Sequence, residues 1–141
     1  MTLALGRPSG ITIKSSREIA HMREAGRIVA VAKAEVAEAI KPGVTTAELD
    51  RLAEDSITSQ GAVPAFKGLY GFPATICASV NEELVHGIPS DRTLRDGDIF
   101  SVDIGAIVEG FYSDTAFTAG VGEITEEARR LIDATRGSLE V

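Results

Sequence analysis

The sequence predicts an α+β fold, an antiparallel sheet covered by helices. Three observations carry that expectation. Before residue 62, apolar residues recur at steps of three and four, the period of a helix face. From residue 62 onward the pattern changes to short β-runs broken by Gly, Pro and Asn. One stretch of that second part, Gly97 to Thr115, reads as two β-runs folded on a short turn at Val108-Glu109-Gly110.

Taken in order, residues 1–14 are irregular, punctuated by Gly6, Pro8 and Gly10. Residues 15–141 form the rest. Ser15 with Glu18 three positions later is a capping box, so a helix starts there. Ile19, Met22, Ala25, Val29, Ala32, Val36 and Ile40 line its inner face, and Lys41-Pro42-Gly43 stops it. Thr45 with Glu48 is a second capping box; Leu49, Leu52, Ala53 and Ile57 form the buried stripe, and Gly61 ends the helix. A short turn between two such helices favours antiparallel packing. Ala62 to Pro73 reads as loop, Ala74 to Val80 as a strand, and Leu84-Val85-His86 as a short strand broken by Gly87-Ile88-Pro89. Asp91 to Gly97 reads as a polar connection into the hairpin, whose second strand runs to about Val121. A final helix begins at Thr125 and runs to Val141, with Ala128, Leu131, Ile132, Thr135 and Leu139 facing inward over part of the sheet. It has no closing cap, so the chain looks like a domain truncated part-way.

At 141 residues the chain is long enough for one domain with a real core. Its net charge of −7 and lack of a Lys/Arg cluster argue against nucleic-acid binding. No apolar run approaches a membrane span, and Met1 to Ser16 has no signal-peptide h-region, which makes a cytoplasmic protein the default expectation. The single cysteine, Cys77, excludes an intrachain disulfide framework.

The residues that could carry chemistry cluster after residue 62. With a two-residue loop at Val108-Glu109, Asp103 falls directly opposite Asp114, with Cβ atoms about 5 Å apart. A loop longer by one residue makes them diagonal neighbours instead. Asp103 sits between Val102 and Ile104 inside a strand, where a lone carboxylate is unexpected. A carboxylate pair there calls for a shared proton or a bound cation, and both readings stand. His86 precedes a glycine turn; it is either a cleft residue handling ligand or proton, or a half-buried histidine bonded to backbone. His21 falls on the polar side of the first helix, a solvated position. Cys77 reads as a small buried hydrophobe without a neighbouring base. Phe66, Leu69, Tyr70 and Phe72 either line an apolar pocket or pack the loop onto the sheet. No P-loop, dinucleotide fingerprint, Cys/His zinc spacing or nucleophile elbow is present.

Tyr70-Gly71-Phe72-Pro73, Cys77-Ala78-Ser79-Val80-Asn81-Glu82, His86-Gly87-Ile88-Pro89 and the run from Gly97 through Asp103 to Asp114-Thr115 occur together in this order and spacing. In that combination the sequence resembles the N-terminal half of the type I methionine aminopeptidases, of peptidase family M24. The resemblance covers about residues 12 to 141. It implies the first half of a pita-bread (creatinase/aminopeptidase) fold, in which two pseudo-symmetric halves hold a dinuclear metal site between them. It implies removal of the initiator methionine from nascent chains, with nascent N-termini as substrate and the ribosome as a possible partner.

By the same resemblance, Asp103 and Asp114 match two of five metal ligands, Asp114 bridging both ions. The ions would be two divalent metals, Co, Mn, Fe or Zn. His86 matches a histidine beside the metals that binds substrate and handles protons. Phe66, Leu69, Phe72 and Cys77 match the methionine side-chain pocket. Asn81 and Glu83 fall near a monovalent-cation site built from backbone carbonyls. The remaining three ligands of the family, one histidine and two glutamates, lie in its second half. No histidine follows Asp114 here, and Glu123, Glu126, Glu127 and Glu140 stand in other contexts. The resemblance therefore implies a chain weak or inactive alone. The alternative expectation is a non-catalytic half-domain that pairs with itself as a dimer, or with another chain. A proline-specific relative of the same fold is disfavoured by the His86-Gly87-Ile88-Pro89 context.

Overall fold

In the computed structural model, residues 11–140 are described; residues 1–10 of the irregular N-terminal segment and Val141 lie outside the described residues. Both capping boxes form. Ser15 Oγ accepts from the Glu18 amide while Glu18 Oε2 accepts from the Ser15 amide at 2.7 Å, opening α1 (Ser16–Ala39). Thr45 and Glu48 repeat the exchange at α2 (Thr46–Ser59). Each such cap contributes about 1 kcal/mol.

The strands are β1 (Val63–Pro64), β2 (Ile76–Val80), β3 (Ile99–Val108) and β4 (Phe111–Gly120). All pairings are antiparallel. β4 takes one edge of β3 along its whole length, and β2 and β1 share the other edge in line. β1 lies inside the segment read as loop. Its pairing is only Val63 with Ile107 and Pro64 with Ala106, and a proline strand this short at a sheet edge carries little pattern.

β3 divides the sheet into two faces. Phe100, Val102, Ile104 and Ala106 are buried on one side, with Ile76, Ala78 and Val80 of β2 beside them. Ile28, Val29, Ala32 and Val36 of α1 and Leu49, Ala53 and Ile57 of α2 complete this core. Ile19 and Met22, expected at the start of the α1 stripe, are about 40% exposed. His21 is not solvated as expected: it is half-buried and stacks on Phe111, ring centroids 5.7 Å apart.

Three further expectations are corrected. First, the hairpin loop is Glu109-Gly110, not Val108-Glu109: Val108 pairs with Phe111, and Asp103 faces Ala116 while Asp114 faces Gly105. Both loop residues have positive φ, 49° and 81°. The shifted loop places Gly there and spares β-branched Val108 that conformation. Second, Leu84-Val85-His86 is not a strand. None of the three pairs with a strand, and His86 is left-handed (φ 59°), out of the extended backbone a strand needs. Third, the final helix, α3 (Glu126–Leu139), does not cover the sheet. None of its residues is buried; Leu131 is 59% and Leu139 86% exposed. α1 and α2 already occupy the core face, and α3 packs mainly beside β4. Among the described residues no helix is long and apolar enough to cross a membrane.

Candidate metal centre

The second face of the sheet carries the two candidate carboxylates. Strand alternation places Ser101, Asp103 and Gly105 of β3 there, with Cys77 directly opposite Asp103 and Asp114 diagonal to it. The aspartates therefore share one face even though they do not face each other. Asp103 is half-buried and Asp114 exposed. Burial first, then a hydrogen bond and the charge of Asp114, pushes the Asp103 carboxyl up to about 6, against the opposing influence of His86 and the Ile104 amide.

β2 is held in register from outside the sheet. Asp50 on α2 accepts hydrogen bonds from the Thr75 and Ile76 amides at 2.8 and 2.9 Å, fixing the strand start just before Cys77. Its partners lie 25 residues away in sequence, so no local pattern marks it. His86 is anchored by its neighbour. The Ala78 amide donates to the Gly87 carbonyl at 2.8 Å and the Gly87 amide donates to Ser79 Oγ at 3.1 Å. The Gly87 backbone lies so close to Ala78 and Ser79 that a Cβ there would collide with the β2 backbone. That contact holds the exposed His86 ring beside the strand bearing Cys77.

Phe66, Leu69, Tyr70, Phe72, Cys77, His86, Ile88, Asp103 and Asp114 all line one cavity of about 590 Å³. All seven of the residues expected at the metals or the methionine pocket are thus brought together. Ile88 was not foreseen; an exposed isoleucine in a Gly-Ile-Pro turn has no distinguishing sequence signal. Cys77 is buried, and its thiol is pushed up to about 11 by that burial and then by Asp103 and Asp114. It stays protonated at neutral pH and serves as wall.

Asn81 and Glu83 are not in this cavity. The Asn81 side chain donates to Asp98 at 2.8 Å and accepts from the Ile99 amide at 2.9 Å. Glu83 accepts from the Val80 amide and pairs with Arg92 at 3.0 Å. Both side chains shape the turn after β2, and Asn81 borders a separate polar cavity of about 440 Å³ with Arg92 and Asp98.

Two carboxylates on one face, one reluctant to ionise, form a donor set that suits a hard divalent cation, since a cation relieves their mutual repulsion. The set is one-sided. Among the described residues no group of three or more His, Cys, Asp or Glu side chains is arranged to hold a metal ion.

Residues 20–141 match the metallopeptidase family M24. The chain belongs to that family. It is 54% identical over 129 residues to methionine aminopeptidase 1 of Bacillus subtilis, covering 92% of this chain and 52% of the relative. It is 56% identical to a methionine aminopeptidase of Clostridium acetobutylicum, again over 52% of the relative's length. The crystal structure of methionine aminopeptidase from Thermotoga maritima superposes with a TM-score of 0.90 at 43% identity, covering 93% of this chain and 53% of that one. Aminopeptidase P of Escherichia coli is more distant, with a TM-score of 0.79 at 27% identity. The chain spans about half the length of the methionine aminopeptidases it matches, and has the architecture of the N-terminal half of the M24 pita-bread fold.

Proposed function

We propose that this chain forms one wall of a dinuclear metalloaminopeptidase centre that removes the N-terminal methionine of nascent proteins. The observation that carries the reading is the placement of Asp103 and Asp114 in a cavity otherwise walled by Phe66, Leu69, Phe72 and Cys77. Asp103 and Asp114 would hold the metal. Bound divalent ions would supply an activated water for attack on the scissile carbonyl. The apolar wall takes an unbranched thioether side chain, which adapts to an irregular aromatic surface. His86 stands exposed at the edge of the cavity, where an imidazole nitrogen can hydrogen-bond the substrate amide and hold or return a proton. Asn81 and Glu83 would contribute backbone carbonyls to a monovalent-cation site. Nascent N-termini emerge at the ribosome, which makes it a partner on this reading.

The described residues offer too few ligands for tight metal binding, so the 141-residue chain is expected to bind Mn²⁺ or Co²⁺ weakly and to release little methionine from Met-Ala-Ser. Robust release by the pure chain overturns the one-wall reading. In calorimetry, Asp103→Asn and Asp114→Asn abolish the residual metal binding; unchanged affinity removes the metal assignment.

A second reading, a half-domain that pairs with another copy or chain, is favoured by one observation. Among the described residues β4 is paired only on its β3 side, and it carries a single charge, Asp114, in ten residues. A long, nearly uncharged free edge is a ready template for pairing. A monodisperse monomer in light scattering at high concentration argues against it.

A further inference from the structure

We propose that Tyr70 is a specificity-determining residue that contacts the substrate beyond its first residue, an inference that rests on the aminopeptidase reading above. Tyr70 sits in a single 3₁₀ turn, Leu69–Gly71, and lines the cavity that holds Asp103, Asp114 and His86. Among the described residues its side chain has no packing partner, being 101% exposed. Its backbone is left-handed, φ 49° and ψ 28°. Side chains other than Gly and Asn are disfavoured there, an aromatic one especially. The turn is nonetheless fixed. The Gly68 amide donates to the Phe72 carbonyl at 2.8 Å, Leu69 to Phe66 at 2.9 Å and Phe72 to Leu69 at 2.9 Å. Folding therefore gains nothing from the ring and is opposed by its backbone. A strained, unpacked aromatic at the rim of a cavity points to a role in binding.

The position says which part of a ligand it meets. Phe66, Phe72 and Cys77 are half-buried or buried and form the interior wall, whereas Tyr70 is fully exposed. A peptide whose first side chain fills the interior must leave past the rim. An aromatic face carried on that fixed turn can stack on the second and third residues.

NMR titration of the 141-residue chain with methioninamide and with Met-Ala-Ser separates the two parts of the ligand. Tyr70→Asn is expected to lower the ratio of tripeptide to methioninamide affinity about fourfold, the size of about one methylene of lost apolar burial. It is also expected to raise Tm by ~2–5 °C, because asparagine tolerates the left-handed turn. Tyr70→Phe keeps the ratio. An unchanged ratio in Tyr70→Asn with methioninamide still bound overturns the role of Tyr70 and leaves the pocket reading intact. A fall in Tm also overturns it, since the ring would then be holding the turn. Failure of methioninamide to bind the unsubstituted chain overturns both.

Discussion

The two faces of β3 differ in what they do for the molecule. On one, Phe100, Val102, Ile104 and Ala106 are all within 1% of complete burial against α1 and α2. On the other, Asp103 stands beside Asp114 and a buried cysteine, and burial raises its carboxyl to about 6. Residues one position apart in a strand thus serve opposite ends. The core face lowers the free energy of the fold, and the open face raises it by holding like charges together. Such local conflict marks a functional surface better than any single residue type does.

The largest effect expected from this contrast is on the core face. Phe100→Ala should lower stability by about 3–5 kcal/mol, read as a shift in the urea midpoint. The opposite face should respond with the opposite sign. In the metal-free chain at neutral pH, Asp103→Asn removes a half-buried carboxylate and its repulsion with Asp114, and should stabilise by about 1 kcal/mol. The pH dependence follows from the same group. Its folded pKa is raised above the unfolded value, so the folded state holds the proton more tightly between about 4 and about 6. Stability should therefore fall as pH rises through that window. The change is about 1 kcal/mol once solvent screening of this half-open side chain is discounted. Asp103→Asn should flatten the dependence. A stability curve that rises across the window would mean that a favourable partner, not Asp114, controls this carboxyl.

The core face was the more legible of the two in the sequence. Two capping boxes marked the starts of α1 and α2 to the residue, and helical spacing marked most of their buried stripes, because caps and stripes are local signals. Of the nine residues that the resemblance singles out, seven line one cavity, while Asn81 and Glu83 stand apart from it in the turn after β2. What escaped is non-local or depends on backbone sign. Asp50 bonds amides 25 residues ahead, so nothing near it in sequence announces the contact. His86 was read as a strand end because its neighbours are apolar; its left-handed backbone is set by Gly87 packing on β2. The inner face of α3 was read from periodicity, yet periodicity states which residues seek cover and not whether cover is available.

The hairpin loop tests whether the two faces are independent. Moving the loop by one residue turned the aspartates from opposed to diagonal without changing their shared face, since both partners moved by whole register steps. The turn is therefore the device that sets the separation of the two carboxylates. Glu109 occupies it with a φ of 49°, a conformation better suited to asparagine. Glu109→Asn creates an Asn-Gly pair, the strongest two-residue hairpin signal, and should add about 0.5 kcal/mol to stability while keeping the register. Weak Mn²⁺ affinity measured by calorimetry should stay constant, because Asp103 and Asp114 stay diagonal. A change in affinity accompanying the gain in stability would show that the loop also tunes the carboxylate pair, and that the open face is not separable from the scaffold beneath it.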